Sequence, residues 1–259
     1  MPENKSLGLQ FNDLNFGYFD DIDRARGAHY PVMLKFGCWD ARMGGQMHTL
    51  QPGKIFFHRS AGATLPQNVL WDRNLQGYLA LSALKEIRRF LIAPHSDCLA
   101  ANTALNYPCV ADLPEDHAEY FNLRIIHDGL TAVGCDLSVM AAECWDEASG
   151  DEAIATNLMA KRLAVISLDN LLAYKVFDNG QTTVGEAAAQ GRINIGVIFV
   201  DLQNGHFEHF DPETKIFNTI DPLECLNIVA GRGSNDNDAD SQVDDTSGLS
   251  QQTLIQLAL

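Results

Sequence analysis

The chain is poor in basic residues. Its 259 positions hold 18 Lys and Arg against 34 Asp and Glu, a net charge of −16. A phosphate backbone needs a basic face, so nucleic acid is not expected as a partner. The same deficit argues against docking on anionic lipid. Long hydrophobic runs are also missing. None approaches 18 residues, so no membrane span is expected. The first ten residues lack a basic start followed by an apolar stretch, so no secretory leader is expected. Cysteine is scarce. Six in this length cannot build a disulfide scaffold. What is present is a globular composition, 46% hydrophobic, in a chain long enough to bury a core without staples.

The hydrophobic pattern orders this material. Residues 30–37 form a short apolar run ending in Gly37 and read as a buried strand. Pro52-Gly53 marks a turn, and residues 54–58 read as a second strand. Leu70, Leu75, Tyr78, Leu79, Leu81, Leu84 and Ile87 recur at helical spacing. Residues 89–93 make a third strand, stopped by Pro94. Residues 112–145 read as helical, with Asp112 and Pro114 near the start. Residues 152–172 read as a second long helix. Leu163-Ala164-Val165-Ile166 would suit a strand, but the apolar spacing continues on both sides. Residues 192–200 are a strand, Gln203-Asn204-Gly205 a hairpin turn with Asn-Gly supplying positive φ, and residues 206–210 the return strand. Strands alternating with helices give an α/β fold with a central, mostly parallel sheet, an antiparallel edge hairpin and flanking helices.

The ends differ from the middle. Residues 1–29 are a short polar arm with Asp20, Asp21 and Asp23 in solvent. Residues 231–248 offer almost nothing to bury and read as an acidic flexible linker. The linker holds five Asp and one Arg, so most of the acidity lies outside it. Residues 249–259 are a short apolar segment that would suit docking in a groove of a partner protein. The catalytic domain is expected over residues 30–230.

Two motifs carry chemistry. Cys38-Trp39-Asp40-Ala41-Arg42 directly follows the first strand, and His95-Ser96-Asp97-Cys98 directly follows the third. Both fall at carboxyl ends of parallel strands, where open α/β sheets place their sites. Two thiolates and one imidazole make a zinc set that leaves a fourth position for water or substrate. From composition alone, both motifs arise together by accident with a probability of about a few parts in a thousand. Thiolate ligands require a reducing compartment, which points to the cytoplasm. The other four cysteines, Cys109, Cys135, Cys144 and Cys225, are expected as buried thiols. Trp39 is expected in packing, Asp97 as a cap of the following helix, and His48 and His58 as surface or core histidines rather than proton relays.

In order and spacing, C-W-D-A-R, F-F-H-R-S-A-G-A and H-S-D-C resemble the β-class carbonic anhydrases over residues 30–210. The resemblance implies that family's fold and Zn²⁺ held by Cys38, His95 and Cys98. It implies an Asp40–Arg42 pair in which Arg42 holds Asp40, and Asp40 orients the nucleophile. The implied activity is reversible hydration of CO₂ to bicarbonate, a lyase reaction with zinc hydroxide as nucleophile. It also implies a homodimer or higher homo-oligomer. Arg59, Ala61 and Gly62 fall on the segment beside the site and are expected in the substrate pocket, with Leu99. The sequence departs from the family at Leu99 and Ser60, where Gly and Asn are usual, and at Pro94, where Gly is common. Two other readings stand beside the first. One is a hydrolase of CS₂ or COS on the same scaffold. The other is a non-catalytic homologue with a scaffolding or partner-binding role.

Overall fold

The structure, a computed structural model, describes residues 33–40, 55–114 and 120–221. Arg42, His48, Cys225, the Pro52-Gly53 turn, the N-terminal arm, the linker and the C-terminal segment lie outside the described residues.

A six-stranded sheet organises them. Its strands are β1 (Met33–Cys38), β2 (Ile55–Ser60), β3 (Arg89–Ala93), β6 (Asn194–Asp201), β7 (His206–Asp211) and β8 (Ile216–Ile220). The spatial order is β2-β1-β3-β6-β7-β8. The first four run parallel, and β6, β7 and β8 pair antiparallel. The expected sheet is present, with one further edge strand, β8. A small antiparallel pair, β4 (Lys175–Phe177) and β5 (Thr182–Thr183), stands apart from it.

Helices cover both faces, as a mostly parallel sheet requires. They are α1 (Arg73–Leu84), α2 (Leu99–Asn106), α3 (Tyr120–Thr131), α4 (Leu137–Glu147), α5 (Glu152–Ala173) and α6 (Val184–Ala189). Side chains alternate along the strands and divide between two cores. Leu34, Phe36, Phe90, Ile92 and Val197 pack with Leu75 and Leu79 of α1 and with Val184 and Ala187 of α6. Met33, Leu91, Ala93 and Ile198 pack with the alanines of α2 and with Met140 and Cys144 of α4. The 22-residue α5 contributes to both cores. No helix among the described residues is long and apolar enough to cross a membrane.

Three local expectations change. The helical stretch 112–145 is two helices, broken between Thr131 and Leu137, where Gly134 takes φ 84°. Asp136 then restarts the chain by capping α4, accepting from the Ser138 and Val139 amides. The turn between β6 and β7 spans residues 202–205, and only Gly205 (φ 68°) takes the left-handed conformation; Asn204 does not. The Gly205 amide closes this turn on the Asp201 carbonyl at 2.8 Å. Of the cysteines expected to be buried, Cys144 is buried, Cys135 is half-buried and Cys109 is exposed.

Candidate metal centre

Two parallel strand ends and one helix start converge. β1 ends in Cys38, and β3 runs through Pro94 into His95. Cys98 follows as the residue capping α2. Just before Cys38, Gly37 faces the Phe57 ring of β2, and a Cβ there would come within 2.7 Å of it. Glycine is what lets the two strands close at this height.

The Cys38 and Cys98 sulfurs lie 3.8 Å apart. With His95, the ligand atoms all fall within 4.8 Å of one another, and all three residues are buried. Two Zn–S bonds of about 2.3 Å at a tetrahedral angle span about 3.8 Å, so the sulfurs fit one ion. His95 Nδ1 lies 2.8 Å from the Ser96 carbonyl oxygen. A carbonyl only accepts, so Nδ1 carries the proton and Nε2 presents its lone pair. That Nε2 is buried and makes no hydrogen bond. An unpaired buried polar atom costs about 1–3 kcal/mol, and a metal ion in the cluster satisfies it.

The three side chains shift one another's protonation. The contact with the Cys98 sulfur pulls the Cys38 thiol far below the ordinary thiol range. Burial opposes the shift, while His95 and the Asp40 amide assist it. The same sulfur contact, with burial, pushes Cys98 up against the pull of the Ala101 and Ala100 amides at the start of α2. Burial pulls His95 down, but the Cys38 sulfur and its charge outweigh burial, and the net direction is up. A divalent cation held by these residues would require thiolate and neutral imidazole, the ligating forms, and so would displace protons from the cluster.

Asp40 stands beside this cluster. Its Oδ2 is 4.0 Å from His95 Nε2, beyond hydrogen-bond reach. The structure thus brings Cys38, His95, Cys98 and Asp40 together. Arg59 and Ala61 line a cavity of about 470 Å³ with Trp39, Ser60, Trp71 and Asp72. Gly62 is buried in the turn Ala61–Ala63 (φ 65°), and Leu99 is 57% exposed at the first position of α2. Neither is among the residues described as lining that cavity.

Two expectations are corrected at the site. Trp39 is 50% exposed and lines the cavity, so it is not a packing residue. Asp97 does not cap α2, since the cap position belongs to Cys98 and Asp97 takes φ 54°. The chain must reverse within two residues to bring both His95 and Cys98 to one point, and Asp97 absorbs that turn. Two further residues that the sequence pattern does not single out, Ser96 and Asp201, bond to each other at 3.1 Å. Their signal was an Asp opening the turn Asp201-Leu202-Gln203-Asn204-Gly205, a placement that favours bonds to the next amides. His58 is a core histidine, as expected, with its Nε2 3.3 Å from Asp72 Oδ2.

Comparison with known proteins agrees with this geometry. The protein family described as carbonic anhydrase matches residues 33–207. No curated protein matches the chain significantly. Among solved structures, the chain is similar to the β-carbonic anhydrase CcaA, with TM-score 0.64 and 17% identity over 82% of this chain and 89% of that one. It is also similar to tetrameric β-carbonic anhydrases from the filamentous ascomycete Sordaria macrospora (TM-score 0.58, 20% identity, 78% of this chain and 94% of that one). A third is the β-carbonic anhydrase CafA of the fungal pathogen Aspergillus fumigatus (TM-score 0.57, 16% identity, 80% and 90%). Identities this low speak to the fold, while the family match spans more than half of the chain. By that match, and by a sulfur–imidazole cluster at the strand ends where the fold places its site, this chain belongs to the β-carbonic anhydrase family.

Proposed function

We propose that this protein is a zinc-dependent carbonic anhydrase that interconverts CO₂ and bicarbonate. The observation that carries the reading is the buried Cys38–His95–Cys98 cluster, with an unpaired imidazole nitrogen and Asp40 at its edge. Cys38, His95 and Cys98 would hold the ion. When bound, zinc supplies a Lewis acid that makes a water nucleophilic near neutral pH. Two thiolates cancel the charge of the ion, so this centre acidifies water less than one with three neutral imidazoles, and activity should favour alkaline pH. Asp40 accepts the hydrogen bond of the attacking water and fixes its lone pair towards the carbon. By the family resemblance, Arg42, which lies outside the described residues, would hold Asp40 in that orientation. Arg59 and Ala61, on the cavity wall, border the approach to the site. Thiolate ligation suits the cytoplasm, and a homo-oligomer accords with the tetrameric relatives.

The test is stopped-flow CO₂ hydration by the zinc-loaded protein at pH 8–9. Acidification above the buffer rate is expected. Its absence, with sulfide released from COS in a parallel assay, would replace this reading by the hydrolase. Absence in both assays would leave a non-catalytic homologue.

A further inference from the structure

The imidazole of His95 is held from the neighbouring strand, β6. His95 Nδ1 donates to the Ser96 carbonyl at 2.8 Å. Ser96 is itself pinned three times, all to the end of β6. Its amide donates to the Val200 carbonyl at 2.9 Å. Its hydroxyl donates to Asp201 Oδ1 at 3.1 Å and accepts from the Leu202 amide at 2.8 Å. His95 pairs with Val200 in a parallel bridge, and the Val200 amide donates to the Pro94 carbonyl at 3.0 Å.

Asp201 is the hub of these bonds. Besides Ser96, its Oδ1 accepts from the Gln203 amide at 2.9 Å and the Asn204 amide at 3.3 Å. Its Oδ2 accepts from Asn204 Nδ2 at 2.8 Å. One carboxylate therefore ties the β6–β7 turn to the loop that carries His95. Burial pushes the Asp201 carboxyl up, but the bonds from Asn204, Gln203 and Ser96 outweigh it and the net direction is down. Both Asp201 and Ser96 lie outside the cluster and touch no ligand atom directly.

We propose that Asp201 is a positioning residue for metal ligation. Acting through Ser96, it fixes the carbonyl to which His95 donates and so aims Nε2 at the two sulfurs. Partners that orient ligating histidines commonly change metal affinity about 10–100-fold when removed. This inference rests on the zinc reading above. It extends the positioning network from the β6–β7 turn through Ser96 to His95.

The test uses the full chain, zinc-loaded, as wild type, Asp201→Asn, Ser96→Ala, Ser96→Thr and the Asp201→Asn/Ser96→Ala double variant. Asparagine keeps the size but turns one acceptor into a donor facing Asn204. Zinc release to a chelator is followed, together with the visible spectrum of the cobalt-substituted proteins, which reports ligand geometry. Release about 10–100-fold faster is expected for Asp201→Asn and for Ser96→Ala, with altered cobalt bands. Ser96→Thr keeps the hydroxyl and restores the wild-type rate. The double variant should be no worse than the single ones, because residues acting in one path are not additive. Unchanged release and spectra in a wild type that binds zinc would overturn the role of Asp201, as would fully additive effects. A wild type that takes up no zinc would instead overturn the metal reading itself.

Discussion

Helices α1, α4 and α5 begin differently from α2. At α1, α4 and α5 an aspartate accepts from the exposed amides of the first turn: Asp72 from Leu75, Asp136 from Ser138 and Val139, Asp151 from Ile154. At α2 the same position is held by Cys98, which makes no such side-chain bond. Instead its sulfur receives the pull of the Ala101 and Ala100 amides. The first kind of start is closed within its own helix. The second directs the positive end of α2 at a sulfur whose contact with Cys38 lies outside the helix. The candidate site thus uses the part of a helix that α1, α4 and α5 spend on capping.

Substitutions at these starts break or sharpen the contrast. Cys98→Ser should have the largest effect. Serine is a good cap and a poor zinc ligand, so the helix start survives while zinc content falls from one per chain to near none. CO₂ hydration should fall to the buffer rate; elemental analysis and stopped-flow measurement check both. Asp72→Ala comes next. It removes a cap and also leaves the buried His58 Nε2 without the carboxylate 3.3 Å away, so a loss of about 2 kcal/mol is expected in denaturant unfolding. Asp151→Ala should cost about 1 kcal/mol, since only a cap is lost. Its zinc content should match the wild type. Reduced zinc in Asp151→Ala would show that the two kinds of start are not separable.

Much of this was legible beforehand. Strand β3 coincides with its expected residues, because Pro94 stops it and apolar residues fill it. Helix α5 was legible because its apolar period outlasts the ambiguous segment at residues 163–166. The cluster was legible because Cys38 and His95 each stand just past a run that could only be a buried strand. The misreadings share a cause. Residues 112–145 have one helical period, but the break at Gly134 depends on α4 packing against α5 in its own direction. β8 is short and mostly exposed, so its Ile216-Phe217 pair gives little alternation to read. Asp97 looked like a cap because its type suits one. Its positive φ follows from a reversal that the chain makes only when His95 and Cys98 must meet.

Residue type and local pattern were enough to name the candidate ligands, the strand ends that carry them and the mostly parallel sheet. These depend on residue type and on periods of two or 3.6, which are local properties of the chain. The tertiary structure alone decided the 3.8 Å between the sulfurs, the lone pair left on His95 Nε2 and the bond from Ser96 to Asp201. Those features join residues 60 and 105 positions apart. Such pairs meet only after β1, β3 and β6 have taken neighbouring places in one sheet, and no local preference specifies that order.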